Sequence, residues 1–144
     1  MSRSAVLAAA LAAFLPGAAP AQSGNFELEL NTAADVGAEA GGPACRLTYV
    51  ATNNTGIALE RTSYEVVVFD GGGAVSRILV LEFGALPLGR TRVVQFDLAD
   101  LGCADISRIL VNNQIDCASD AGEHEVCLAA LIASSRSQSI QFGL

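Results

Sequence analysis

The chain has 144 residues, 51% of them hydrophobic, with no Lys, 8 Arg and 15 acidic residues, a formal net charge of −7. That balance speaks against nucleic acid and anionic lipid surfaces as partners, because binding to either draws on cationic side chains. The hydrophobic fraction excludes a disordered tail, and the length leaves room for one domain.

The first segment reads as an export signal. Arg3 precedes an apolar run from Ala5 to Leu15, about half the length that a membrane-spanning helix requires. Pro16 and Gly17 break it, and Ala19-Pro20-Ala21 sets small residues at the two positions a signal peptidase reads. The expectation is a signal peptide over 1–21 and a single mature domain over 22–144, carrying 7 Arg against 15 acids. No Cys follows the cut to take a lipid, and no second apolar run of spanning length occurs. A lone Arg departs from the twin-Arg pattern, so the general secretory route and a periplasmic or secreted protein without a membrane span are expected.

Beyond the signal the chain reads as strands. Phe26, Leu28 and Leu30 alternate with Glu27 and Glu29, the period of a strand with one wet face. Thr32 to Pro43 has Ala, Gly and acids without periodicity and reads as a mobile connection. Cys45, Leu47, Tyr49 and Ala51 form a second strand that stops at Asn53-Asn54-Thr55-Gly56. Ser63 to Asp70 contains Tyr64, three consecutive Val and Phe69, a β-branched and aromatic run with both faces buried, as in a central strand. Gly71-Gly72-Gly73 opens a hairpin into Val75 to Phe83. Gly84 to Arg90 is a turn, Arg92 to Leu98 a fifth strand, and Ile106 to Val111 a sixth that ends at Asn112 and Asn113. Asp116 to Glu125 is polar; Cys127 to Ile132 is apolar but too short to assign to strand or helix, and Ser139 to Phe142 closes as a terminal strand.

Seven or so short strands joined by turns, without an amphipathic helix, predict an all-β fold: an antiparallel sandwich of the immunoglobulin or fibronectin type. Cys45, Cys103, Cys117 and Cys127 make an even number in an exported chain and include no C-x-x-C pair, which favours two disulfides over metal. Four cysteines allow three pairings, and strand order ranks them. In an antiparallel sandwich the start of the second strand and the approach to the sixth lie at one end, which favours Cys45 with Cys103. Cys117 with Cys127 would then staple the acidic loop at the other end. Joining Cys103 to Cys117 would require the two ends of one extended strand to meet.

Residues 45 to 98 carry a family resemblance: the strand ending in Asn53-Asn54-Thr55-Gly56, the run from Tyr64 to Asp70 before a glycine turn, and Leu86-Pro87 leading to a strand that reaches Phe96. In these marks the chain resembles the FxLYD-type immunoglobulin-like domains of exported bacterial proteins. Its lysine-poor, Ala- and Arg-rich mature part is similar to small exported proteins of alphaproteobacteria. The resemblance implies a sandwich fold and supplies no catalytic residue.

His124, the only histidine, lies between Glu123 and Glu125 with Asp116 and Asp120 nearby, a set that could gather around a hard divalent ion or serve a hydrolase. The opposing reading is a solvated acidic loop, and the spacing is not that of an EF-hand. Ser63, Ser134 and Ser135 lack a nucleophile motif, and Glu65, Asp70 and Glu82 fall where outward strand positions or turns put them. Gly71-Gly72-Gly73 lacks the Lys or the helix of a phosphate cradle. Asn53-Asn54-Thr55 matches a glycosylation sequon by chance. Arg46, Arg77, Arg92 and Arg108 recur in four strands, either as a row of cations or as partners of Glu65, Glu82 and Asp97, with the pairing favoured. Tyr49, Tyr64, Phe69, Phe83 and Phe96 are read as core. The sequence therefore assigns no catalytic residue, cofactor or metal, and points to a module acting through protein contacts with an envelope partner, at a sheet edge or at the stapled loop. The alternative is a small metal-dependent or hydrolytic protein built on the loop around His124.

Overall fold

The computed structural model describes residues 24–37 and 42–144, so the expected signal peptide lies outside the described residues. In chain order the elements are β1 (Phe26–Gly37), β2 (Pro43–Asn53), β3 (Arg61–Asp70), β4 (Val75–Glu82), β5 (Thr91–Ala99), β6 (Ile106–Ser119), β7 (Gly122–Glu123), α1 (Val126–Ala129), β8 (Leu131–Ser135) and β9 (Gln141–Gly143). A 3-10 turn at Cys103–Asp105 leads into β6. One sheet has the order β5-β2-β1-β8; the other runs β4-β3-β6, with β7 and β9 at different points along the far edge of β6. The two sheets pack face to face as an all-β sandwich. No helix of the described residues is long and apolar enough to cross a membrane.

The alternation expected from the sequence is what fills the core. Phe26, Leu28 and Leu30 of β1, Leu47, Tyr49 and Ala51 of β2, and Tyr64, Val66 and Val68 of β3 are all at most 1% exposed. Tyr49 sits at the centre, its ring 5.7 Å from Phe83, 6.0 Å from Phe96 and 5.2 Å from Phe142, at the tilted and edge-on angles that aromatic quadrupoles favour. Burial pushes its phenol well above the usual range, as it does that of Tyr64. The Tyr64 hydroxyl donates to the carbonyl of Cys127 at 2.7 Å, whereas the Tyr49 hydroxyl is buried without a partner.

Several sequence expectations need correction. Thr32 to Gly37 is not a mobile connection: β1 continues to Gly37, pairing with β2 from Thr48 back to Pro43 after a register shift between Leu30 and Thr32. Asn112 and Asn113 do not end the sixth strand. β6 runs on to Ser119, and its register against β3 slips at three points that absorb the extra residues. The polar stretch after Asp116 is thus half strand, and the apolar segment after it divides into α1 and β8. Pairing is antiparallel throughout except for two late additions: β8 runs parallel to β1, and β9 parallel to β6. Both follow long connections, which a parallel neighbour requires.

The cysteines close two disulfides, Cys45 with Cys103 and Cys117 with Cys127. The first ties the start of β2 to the turn before β6, and so one sheet to the other. The second ties the far end of β6 to α1, just before β8 returns to the first sheet. Each holds one end of the sandwich.

Candidate functional site

The region around His124 is a hairpin rather than an open loop. β6 and β7 pair through Ala118 with Glu123 and Ser119 with Gly122, and the His124 amide donates to the carbonyl of Cys117 at 2.7 Å. Two of the acids nearby, Asp116 and Glu123, face a cation. Asp116 accepts from the Ser63 hydroxyl at 2.6 Å and lies 3.6 Å from Arg61, and Glu123 lies 3.0 Å from the Arg61 guanidinium. Among the described residues no group of three or more His, Cys, Asp or Glu side chains could hold a metal ion. His124 Nε2 lies 2.8 Å from the hydroxyl of Ser119, a residue that sequence reasoning passed over. The spacing Ser119 to His124 across a tight hairpin was the available signal. The same hydroxyl also accepts the amide N–H of Ala121 at 3.1 Å, and the hydrogen-bond partners of His124 include no carboxylate that would orient it as a base.

The arginines do not form a row. Arg46 and Arg92 belong to the first sheet, Arg77 and Arg108 to the second. Only Arg46 makes the expected cross-strand pair, a two-point contact with Asp97 at 2.7 Å for each bond, which holds that carboxyl below its ordinary range. Arg77 reaches the carbonyl of Ala99, and Arg92 those of Phe83 and Ala85, so these two guanidinium groups bridge the paired edges of the sandwich. Arg108 lies over the ring of Phe69, 5.6 Å from its centre.

The sequon is structural. Asn53 is fully buried; its amide donates to the carbonyls of Ile57 and Leu86 at 2.7 Å each, and its side-chain oxygen accepts from the amide and hydroxyl of Thr55. A buried amide fully committed to the turn after β2 is closed to sugar transfer. Asp70 plays the corresponding part in the β3–β4 hairpin, accepting from the amides of Gly72 and Ala74, with Gly73 at a φ of +82° that favours glycine.

What the geometry leaves open to solvent is the outer face of the second sheet. On β4, Leu79 and Leu81 turn to the core, while Ile78 and Val80 turn outward and are 59% and 47% exposed. On β3 the outward residues are Glu65, Val67 and Phe69, and on β6 Leu110 and Arg108, so Phe69 is a surface residue and not the core residue expected. Register aligns them in rows: Val75, Phe69 and Arg108; then Ile78, Val67 and Leu110; then Val80, Glu65 and Asn113; then Glu82, Ser63 and Asp116. Val67 is only 6% exposed because its row neighbours cover it. The apolar rows begin on β4, an edge strand. The first sheet's outer face is more polar: Thr52 bonds Thr91, and Gln95 bonds Thr48. Among the depressions of the surface are one of about 340 Å³ between β6 and α1, lined by Asn113, Gln114, Glu125, Leu128 and Ala129, one of about 320 Å³ lined by Ala58, Leu59, Glu60, Ala85, Pro87 and Asp120, and one of about 250 Å³ lined by Phe69, Gly73, Ser107, Arg108 and Gln141.

These features define an all-β sandwich pinned by two disulfides, with one apolar outer face. Comparison with protein-family models, with curated proteins and with solved structures finds no match.

Proposed function

We propose that this chain is an exported, non-enzymatic module of immunoglobulin-like kind that acts in the periplasm or outside the cell through contacts with another protein. The observation that carries this reading is the outer face of β4, β3 and β6, where Val75, Ile78 and Val80 stand 56%, 59% and 47% exposed in adjoining rows. Scattered surface hydrophobics are ordinary, but a contiguous apolar patch bordered by charge is the usual mark of a binding surface. Export is supported by the N-terminal pattern of Arg3, Ala5 to Leu15 and Ala19-Pro20-Ala21, together with two disulfides, which persist in oxidising compartments. The test is capture from envelope extracts by the tagged mature chain, wild type beside Ile78→Glu. A protein retained by the wild type and lost with the variant supports the reading; equal retention by both contradicts it.

A hydrolytic reading centred on His124 rests on its contact with Ser119. It predicts ester hydrolysis by the purified chain that Ser119→Ala abolishes; equal turnover by both forms removes it.

A further inference from the structure

We infer that the partner on this outer face is a second copy of the same chain, packed sheet on sheet about a two-fold axis. The inference rests on the proposed contact function and names its partner. A two-fold interface must be complementary to itself, so that each position meets its own symmetry mate. The rows of this face have that property. Place the axis in the plane of contact, across the strands, through the row of Ile78, Val67 and Leu110. That apolar row then stacks on its own copy, and Val75 meets the partner's Val80. Arg108 falls over the row that contains the partner's Glu65 and Asn113, within about one strand spacing, roughly 5 Å, of the carboxylate. Symmetry makes the contact twice.

Charge and shape agree with this arrangement. Neither Arg108 nor Glu65 takes part in an ion pair among the described residues; Arg108 rests on Phe69, and Glu65 accepts from Asn112. The recess of about 250 Å³ beside Arg108, lined also by Phe69, Gly73, Ser107 and Gln141, can receive a carboxylate side chain. One end of the face thus carries Arg108, and the other carries Glu65 and Glu82, neither of which is in an ion pair among the described residues. Antiparallel stacking brings unlike ends together. Sheets packed this way keep their strands within about 30° of each other, as the two layers of one sandwich do. From strand spacing and rise the face measures roughly 15 by 25 Å, so both copies together bury about 1,000 Å² once side-chain relief is counted. That is the low end for a specific interface and corresponds to a reversible, micromolar dimer.

Sedimentation velocity on the disulfide-intact mature chain, from about 1 to 500 μM, is the test. The expected result is a monomer–dimer equilibrium that Ile78→Glu weakens roughly tenfold or more, while Val93→Glu, on the opposite outer face, leaves it unchanged. Arg108→Glu and Glu65→Arg should each weaken the dimer, and the double variant should restore it. Within one chain these side chains stand about four residues apart along the strands, roughly 13 Å, so recovery in the double variant reports a contact between copies. Circular dichroism of each variant confirms that it folds. A wild type that stays monomeric across the range, a dimer indifferent to Ile78→Glu, or a double variant no better than the singles overturns the inference. If the wild type is monomeric but Ile78→Glu still loses a captured envelope protein, self-association fails and the contact surface stands.

Discussion

The response of this chain to alkali can be worked out from four facts. It has two tyrosines, both fully buried, no lysine, and every cysteine bridged. Between about pH 9 and pH 12 no other side chain exchanges a proton, since arginine titrates higher. Burial holds the Tyr49 and Tyr64 phenols far above the ordinary value of 10.0 in the folded chain, while unfolding returns them to it. The stabilisation is therefore fully present below about pH 10 and is lost as pH rises toward the folded values, because the unfolded state sheds two protons that the folded state keeps. Each tyrosine contributes up to about 1.4 kcal/mol per pH unit, or about 2.7 for the pair. Against a total stability of about 5 kcal/mol, that slope unfolds the protein roughly two units above pH 10, at the upper end of this window. Tyrosinate absorbance and far-ultraviolet circular dichroism followed together read the outcome. The expectation is no tyrosinate until the sheet signal collapses, then both phenolates in one cooperative step, with Tyr49→Phe halving the slope. Tyrosinate rising near pH 10 with the sheet signal intact would refute the burial argument.

Other expectations follow from single contacts. Tyr64→Phe, which loses the bond to the Cys127 carbonyl, should cost about 1 kcal/mol in a denaturant titration, whereas Tyr49→Phe, whose hydroxyl has no partner, should leave stability unchanged or raise it. Asn53→Ala should cost about 2 to 4 kcal/mol by removing the hydrogen bonds that the buried amide makes to the Ile57 and Leu86 carbonyls and to Thr55, and Asn53→Asp at least as much, because a carboxylate would face the Ile57 and Leu86 carbonyls. Replacing Cys45 and Cys103 together by Ala should cost about 4 kcal/mol and replacing Cys117 and Cys127 about 3, since the bridged residues are 58 and 10 apart in sequence and the larger loop gains more entropy on release. The reverse order in thermal melts would contradict the loop-entropy account.

How much of this was legible in the sequence varies by element. β2 and β5 announce themselves through alternation, β3 through its β-branched and aromatic run, and the Asp70 to Ala74 hairpin through its glycines, because each depends on local chemistry. The second half of β1 does not, since Ala33, Ala34 and Gly37 have little intrinsic preference for a strand and are held there by pairing with β2. In β6 register slips break the period that marks a strand, so the pattern stops at Asn112 while the strand continues, and Ile115 lies on the exposed side, 48% open. The parallel placement of β8 and β9 comes from long-range packing that no local pattern encodes. Among candidate sites, the consecutive Val66, Val67 and Val68 correctly signalled a strand buried on both faces. The outward apolar rows escaped notice because Ile78 and Val80 alternate with Leu79 and Leu81, and only the fold tells which set faces the core. The cysteine pairing, in contrast, is the one that strand order favours among the three possible.

The outer face of β4, β3 and β6 is the surface proposed to meet the partner. A photo-crosslinking amino acid placed at Ile78, and in a separate protein at Val93 on the opposite face, reads this in a cell that produces the full chain. The account predicts a discrete higher-mass adduct from position 78 and none from position 93; adducts from 93 alone, or from neither, would contradict it.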